Sequence, residues 1–294
     1  MVPVISGFLN VLKPVGVTSH DVVARVRRIT GVRQVGHAGT LDPDASGVLP
    51  IALGVCTRLL PYMVLTPKVY QTRVSVGSMT TTGDASGRVV ARSRHWLVSP
   101  QSLMESARWL RLSGWQIPSR VSAVKQQGRR SYQLVQRGKP VWPAPRRVEI
   151  QAITDIQVDA EGWTFQAEVG SGTYIRALVR DWAEILGVAL HVRWLERIQV
   201  GPWHRCRGVT WEQLESAWPA ALESWSTYWP WPVREVDEQM AERVSHGELG
   251  CLAEWGPAGG PVVALTHGGQ LLAVIQGPPW RYRAVFAAVK EGAR

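Results

Sequence analysis

Cysteine is scarce in this chain, at 3 among 294 residues, and no two form a C-x-x-C pair. That excludes a disulfide framework and a cysteine-built zinc site. The one close His–Cys neighbour, His204 with Cys206, offers too few ligands for a metal. Neither a G-x-x-x-x-G-K-[ST] phosphate loop nor a dinucleotide fingerprint occurs. No metal and no cofactor is therefore expected. The longest uncharged run, 255–280, has ten Gly or Pro in its 26 residues, so it cannot form an unbroken spanning helix. Residues 1–14 lack a basic segment followed by a long apolar core, so no signal peptide is expected. These absences point to a soluble, cytoplasmic protein with no membrane partner. Lysine is rare too: 5 Lys stand against 28 Arg. Compositional bias accounts for part of that ratio, since Asn occurs once, at Asn10. Bias does not account for a net charge of +10, which favours a polyanionic partner.

The charge is unevenly placed. Residues 1–228 carry a net +11 and residues 229–294 a net −1. The break falls at Trp225-Ser-Thr-Tyr-Trp-Pro-Trp-Pro232, where prolines interrupt regular structure. Two domains are expected, 1–228 and 229–294. No internal repeat or heptad is visible, and a monomer is expected.

Strands are expected at 7–12, 68–76 and 191–200, and a hairpin of 147–158 with 163–169 turning at 159–162. In the 68–76 strand, Tyr70, Thr72, Val74 and Val76 share one face and Gln71, Arg73 and Ser75 the other. Ser19 is expected to cap a helix with apolar positions Val22, Val23, Val26 and Ile29 and a stop at Gly31. Arg25, Arg27 and Arg28 fall on its outer side. Ser99-Pro100 starts a second helix with Leu103, Ala107 and Leu110 as its buried stripe. Thr173 is expected to cap a third that ends near Gly187. Strands, hairpins and helices do not alternate regularly, so the fold class is α+β. Short tail strands at 262–265, 271–275 and 284–288, separated by Gly/Pro turns, suit a small β-barrel.

The most unusual segment is Gly36-His-Ala-Gly-Thr-Leu-Asp-Pro-Asp-Ala-Ser-Gly-Val-Leu-Pro50. Pro43 holds Asp42 out of the helical region, on stiffened, extended backbone. A carboxylate on a rigid loop at a sheet edge can serve as nucleophile or base. Alternatively, Asp42 and Asp44 cap backbone amides in a turn.

This segment resembles the signature of the TruB family of tRNA pseudouridine synthases. Further blocks agree in order. They are Gly7-Phe-Leu-Asn-Val-Leu-Lys-Pro14 with 16–19; Lys68-Val-Tyr70 followed by Gly77, Thr80, Thr82, Asp84 and Gly87; and Gly172-Thr-Tyr-Ile-Arg176 followed by His191-Val192. The stretch 118–138, with Ser122-Ala-Val-Lys125, Gly128 and Tyr132, fits as well. The resemblance implies a mixed, mainly antiparallel central sheet with flanking helices, the pseudouridine synthase fold. The tail loosely resembles the PUA-type RNA-binding domain that follows in the family. The implied activity is isomerisation of uridine to pseudouridine at the T-loop position conventionally numbered 55. The N1–C1′ bond breaks, the base turns, and C5 is joined to the sugar, with no cofactor and with tRNA as partner.

The resemblance also implies roles. Asp42 falls on the catalytic aspartate, able to act at C1′, at C6 or at C2′. Arg176 matches the arginine that pairs with it. Independently, Arg176 sits in a first helical turn, where a cation opposes the positive helix end and calls for an anion. Tyr70 matches the active-site tyrosine that stacks on the target base, although its pattern alone also suits a buried strand aromatic. His37 matches a histidine placed against the extruded loop, since a base inside a folded loop must be flipped out before any chemistry. Gly39 and Thr40 go with substrate binding. Lys13 and Lys68 are expected on backbone phosphates, and Asp84 near the active site. The chain departs from the pattern at Ala38, at Thr81 and Gly83, at Asp44, a second carboxylate beside Asp42, and at Glu196, where a usual arginine would meet phosphate. The competing reading is a non-catalytic tRNA-folding protein using the same surface.

Overall fold

The computed structural model describes residues 5–93, 98–118, 143–252 and 262–286, with short strand pieces at 125–126 and 129–130. The motif stretch 118–138 therefore lies largely outside the described residues.

Alternating apolar residues build the central sheet. Its strands are β1 (Gly7–Lys13), β2 (Val35–His37), β3 (Ala45–Leu53), β4 (Lys68–Val76), β5 (Ile150–Asp159), β6 (Gly162–Val169), β7 (Leu190–Val200) and β8 (Trp203–His204). The main order is β1-β3-β7-β4-β6-β5, with β2 beside β3 and β8 beside β7. All neighbours are antiparallel except β3 and β7, which run parallel with Leu195, Glu196 and Arg197 opposite Ala45, Ser46 and Gly47. The sheet is thus mixed and mainly antiparallel, as expected. Gly47 is required at this crossing: its φ is +104°, and a Cβ there would lie 2.2 Å from the Arg197 carbonyl oxygen.

β4 matches the expected 68–76 strand and the β5–β6 hairpin turns where expected. Tyr70, Val74 and Val76 face helices α2 (Pro100–Ser113) and α3 (Ile175–Leu186), in a core built on Trp163, Phe165 and Trp182. Ser99 caps α2, and Leu103, Ala107 and Leu110 are buried. From the opposite face Arg73 reaches Asp159 with both amino groups, at 2.5 and 2.6 Å.

α1 (Ser19–Thr30) stops at Gly31, whose φ of +71° only glycine adopts readily. Its cap is Thr18 rather than Ser19. The Thr18 hydroxyl accepts from the Asp21 amide, and the Asp21 carboxylate accepts from the Thr18 amide. That box needs an acidic residue three positions on, which Thr18 has and Ser19 lacks. Val22, Val23 and Val26 pack with Leu9, Val11, Leu49 and Ile51, and with Leu214 of α4 (Trp211–Ala221). Arg25 is engaged on the outer side, paired with Glu215 and stacked over Trp211.

The tail contributes β9 (Val233–Glu235), α5 (Glu238–Ser245), β10 (Val262–His267), β11 (Gln270–Gln276) and β12 (Arg281–Val285). Its last strand begins earlier than expected, with Arg281 and Arg283 outward and Ala284 buried. The four strands lie in the order β9-β10-β11-β12, with no closure from first to last among the described residues, so the expected barrel is here an open sheet. The β9–β10 pair is parallel. Val262, Ala264, Val274, Ala284 and Phe286 share one core with Phe8, Val48, Ala52, Trp203, Tyr228 and Trp229. No helix among the described residues is long and apolar enough to cross a membrane.

Candidate active site

Four segments meet where β7 bridges the two halves of the sheet. The loop before β3 carries Asp42; β4 carries Lys68 and Tyr70; the turn after β4 carries Asp84; and α3 opens with Ile175 and Arg176. A parallel bridge from Asp84 to Val192 of β7 fixes the third of these beside the others.

The Asp42 loop is tied down on both sides. Ser19, freed from capping, donates from its hydroxyl to the Leu41 carbonyl at 3.1 Å and accepts from the Leu41 amide at 2.9 Å. The Pro43 carbonyl accepts from the Gly16 amide at 2.9 Å and from Lys13 Nζ at 3.2 Å. Lys13 Nζ also donates to the Pro14 and Val17 carbonyls, each at 2.8 Å. The Lys13 side chain is fully buried, and burial lowers its pKa to about 8. Lys13 is therefore an internal brace for the loop and no contact for RNA phosphates, because all three N–H donors are spent on carbonyls. The amide-capping alternative for Asp42 is not what the loop shows. Among the described residues its carboxylate takes no backbone amide and faces Arg176.

Arg176, 6% exposed, places Nη2 2.7 Å from Asp42 Oδ2 and Nη1 3.5 Å from Asp84 Oδ2. Nη1 also donates to the Thr82 carbonyl at 2.9 Å. Asp84 is fixed in turn: its Oδ1 accepts from the Thr82 and Ser86 hydroxyls, both at 2.6 Å, and from the Ser86 amide at 3.2 Å. The guanidinium thus spans two carboxylates, and its position on the helix is answered by anions as the dipole argument requires.

The start of α3 differs from expectation. Its cap position is Tyr174, without a side-chain cap bond, and the Thr173 hydroxyl donates to the Glu149 carbonyl at 3.3 Å. Gln116 supplies the missing partner from a distant strand. Its Oε1 accepts from the Tyr174 amide at 2.8 Å, and its Nε2 donates to the Tyr174 carbonyl at 3.1 Å. Arg146 donates to the Gly172 carbonyl and stacks over the Tyr174 ring. Sequence reasoning missed both residues; neither has a local signal, because their partners lie far along the chain.

A cavity of about 220 Å³ is lined by Gly39, Thr40, Asp42, Lys68, Tyr70, Arg176 and Arg197, among others. A second, of about 340 Å³, lies on the other side of the Asp42–Arg176 pair and takes in Asp44, Asp84 and Trp194. The structure therefore brings together Asp42, Arg176, Tyr70, Lys68, Gly39 and Thr40, with Asp84 behind Arg176. His37 sits at the end of β2 and lines neither cavity. Asp44 is exposed.

Arg197 follows Glu196, the position where a usual arginine would meet phosphate, and was not singled out by the sequence. It is 1% exposed, donating from Nε to the Val48 carbonyl and from Nη2 to the Gly39 carbonyl, both at 2.9 Å. It stands opposite Tyr70 across the β4–β7 pair and interacts with the phenol oxygen. Glu196 pairs with Arg205 at 3.1 Å. No group of three or more His, Cys, Asp or Glu able to hold a metal is found among the described residues.

Residues 27–175 match the family described as TruB family pseudouridylate synthase (N terminal domain). The chain is 38% identical to a tRNA pseudouridine synthase B of Thermobifida fusca, covering 92% of this chain and 94% of that one. It is 39% identical to one of Leifsonia xyli, covering 92% of each. In fold it is similar to the crystal structure of a Cbf5-Nop10-Gar1 complex, with a TM-score of 0.67 at 24% identity over 92% of this chain and 78% of that one. The chain belongs to the TruB family, and it is an enzyme of the isomerase class.

Proposed function

We propose that this enzyme isomerises uridine to pseudouridine in the T-loop of tRNA, at position 55, with Asp42 as its catalytic carboxylate. The observation that carries the reading is the 2.7 Å contact of Arg176 with Asp42 at the rim of a cavity that also holds Tyr70. A carboxylate kept in place by a buried guanidinium, and not spent on backbone amides, is a group available to a sugar carbon or a base. Tyr70, in the same cavity, stacks on the extruded base. His37, outside the cavities, contacts the opened loop. The rearrangement conserves every atom and needs no oxidant, so no cofactor enters.

In this reading residues 1–228 form the catalytic domain and residues 229–294 a PUA-like RNA-binding domain. The enzyme acts in the cytoplasm as a monomer whose basic surface stays open to tRNA. The test is Asp42→Asn with a T-arm RNA. Pseudouridine formation should vanish while binding persists. Wild-type protein that binds the RNA and makes no pseudouridine would leave only the RNA-folding reading.

A further inference from the structure

Lys68 is the first residue of β4 and stands two positions before Tyr70, so both side chains leave the strand on the same face. It lines the 220 Å³ cavity with Asp42 and Tyr70. A Cβ built on Gly39 would meet Lys68 Nζ at 3.9 Å and Arg197 Nη1 at 3.4 Å, so the two cations converge on one side of the signature loop. Among the described residues no hydrogen bond or ion pair engages the Lys68 ammonium. Among the described residues no carboxylate pairs with Arg197 either, and Asp42, which lines the same cavity, is held by Arg176. Burial, and then the neighbouring guanidinium, lower the Lys68 pKa to about 8. Arg197 is met by two carbonyls and the Tyr70 oxygen, whereas the half-buried Lys68 ammonium has no partner among the described residues. An ammonium so placed is costly unless a ligand supplies the negative charge.

Deepening the isomerase reading, on which this rests, we infer that Lys68 is a catalytic residue that donates to a carbonyl oxygen of the detached uracil. When the N1–C1′ bond breaks, its electron pair stays with the base as uracilate, its charge shared between N1 and the two oxygens. C1′ is left electron-deficient, opposite the Asp42 carboxylate. The base turns, its electrons form the C5–C1′ bond, the C5 proton passes to water, and N1 takes a proton up, so nothing is gained or lost overall. Lys68, with Arg197 behind it, holds the anion between the two bonds. A preorganised cation aimed at developing charge acts on the transition state more than on the bound substrate. The same ammonium could otherwise meet a backbone phosphate, and the experiment separates these two sources of negative charge.

The measurement is single-turnover pseudouridine formation at saturating enzyme, with T-arm RNA affinity at several salt concentrations, for wild type, Lys68→Met and Lys68→Arg. Loss of one such donor should slow the Lys68→Met step by roughly 100- to 1,000-fold. Affinity and its salt slope should stay within about twofold, and Lys68→Arg should recover part of the rate. On RNA carrying 5-fluorouridine, whose fluorine itself stabilises the anion, the Lys68→Met deficit in bond cleavage should shrink. An unchanged rate in Lys68→Met overturns the assignment. So does a loss confined to affinity with a salt slope smaller by about one, the mark of a phosphate contact. Where Lys68→Met does not melt cooperatively, Lys68→Gln takes its place with the same expectations. Wild-type enzyme that makes no pseudouridine removes the isomerase reading itself, an outcome distinct from active wild type beside an equally active variant.

Discussion

Arg176 reaches Asp42 with one amino nitrogen and Asp84 with the other, so a single guanidinium sets the distance between two carboxylates from different loops. Because Asp84 is itself held by Thr82 and Ser86, the position of Asp42 depends, through Arg176, on the turn that carries Asp84. Arg176→Lys cannot reproduce this, since an ammonium offers a point charge where a planar fork is used. The expected outcome is a fall of about 100-fold or more in single-turnover rate, in line with misplacing a reacting group by about 1 Å, while RNA affinity holds. Asp84→Asn should lower the rate by a smaller factor, because the Thr82 carbonyl still fixes Nη1. Equal rates for Arg176→Lys and wild type would show that the fork is dispensable.

Lys13 makes a prediction about stability. Replacing it by Met leaves the Pro14 and Val17 carbonyls without this donor, at about 1–3 kcal/mol each, while relieving a buried cation offsets part of that loss. A net destabilisation of about 1–3 kcal/mol at pH 7 is expected in urea unfolding. The pH dependence has a definite sign. The folded pKa, about 8, lies below the ordinary 10.5, so the unfolded chain binds more protons between those values and stability rises with pH across that window. Lys68 acts in the same direction over the same range. Lys13→Met should keep only the Lys68 part of the rise between pH 8 and 10.5; an undiminished rise would mean that Lys13 is not buried as a cation.

At low pH the relevant pair is Arg73 with Asp159. The guanidinium, donating to both carboxylate oxygens, holds the Asp159 pKa at about 2. A depressed carboxylate contributes stability that is complete above its unfolded value near 3.8 and is lost as pH falls toward 2. Asp159→Asn should therefore be less stable than wild type at pH 5, with the difference closing by pH 2. Since Asp159 is more than half exposed, the effect is small and is best read from urea midpoints at low salt. A gap that stays constant down to pH 2 would show that the carboxylate's charge is not involved.

Local pattern carried much of this fold and the central part of the site. Period-two alternation places the strand Lys68–Val76 residue by residue, and the turn residues at 159–162 place the hairpin. Asp42 was legible because Pro43 and the surrounding glycines make its loop unlike any regular element. What the sequence concealed is long-range. The parallel β3–β7 contact joins residues about 150 apart, and no periodicity encodes it. Lys13 read as an RNA-facing cation, and Arg197 drew no reading at all, because a fully buried Lys or Arg is rare. Only the folded chain reveals the carbonyls that surround them. The start of α3 was misplaced for the same reason, its amide being met by Gln116, 58 residues away. Several tryptophans also found their explanation only in three dimensions: Trp163, Trp182 and Trp203 are among the largest fully buried side chains.

Trp203 makes the last prediction, about how the basic and neutral parts of the chain depend on each other. It is completely buried, with ring centroids 4.5 Å from Tyr228 and 5.8 Å from Phe8. The same core includes Val262, Ala264 and Val274 of the tail sheet. The proposed boundary between 228 and 229 therefore cuts through shared apolar packing rather than through a solvated linker. Trp203→Ala should cost about 3–5 kcal/mol, the usual range for emptying a large aromatic site. It should lower the unfolding midpoint of the whole chain in one transition. Removal of 229–294 should do more, since it exposes one side of Phe8, Val48 and Trp203 together; the remaining 228 residues should aggregate or melt far below the full chain. A truncated protein that melts cooperatively at the full-length temperature would show that the seam contributes nothing, and the tail could then be treated as an appended RNA-binding unit. If the truncated chain fails, the contribution of the tail to RNA affinity has to be measured by exchanging its exposed Arg281 and Arg283 in the intact protein.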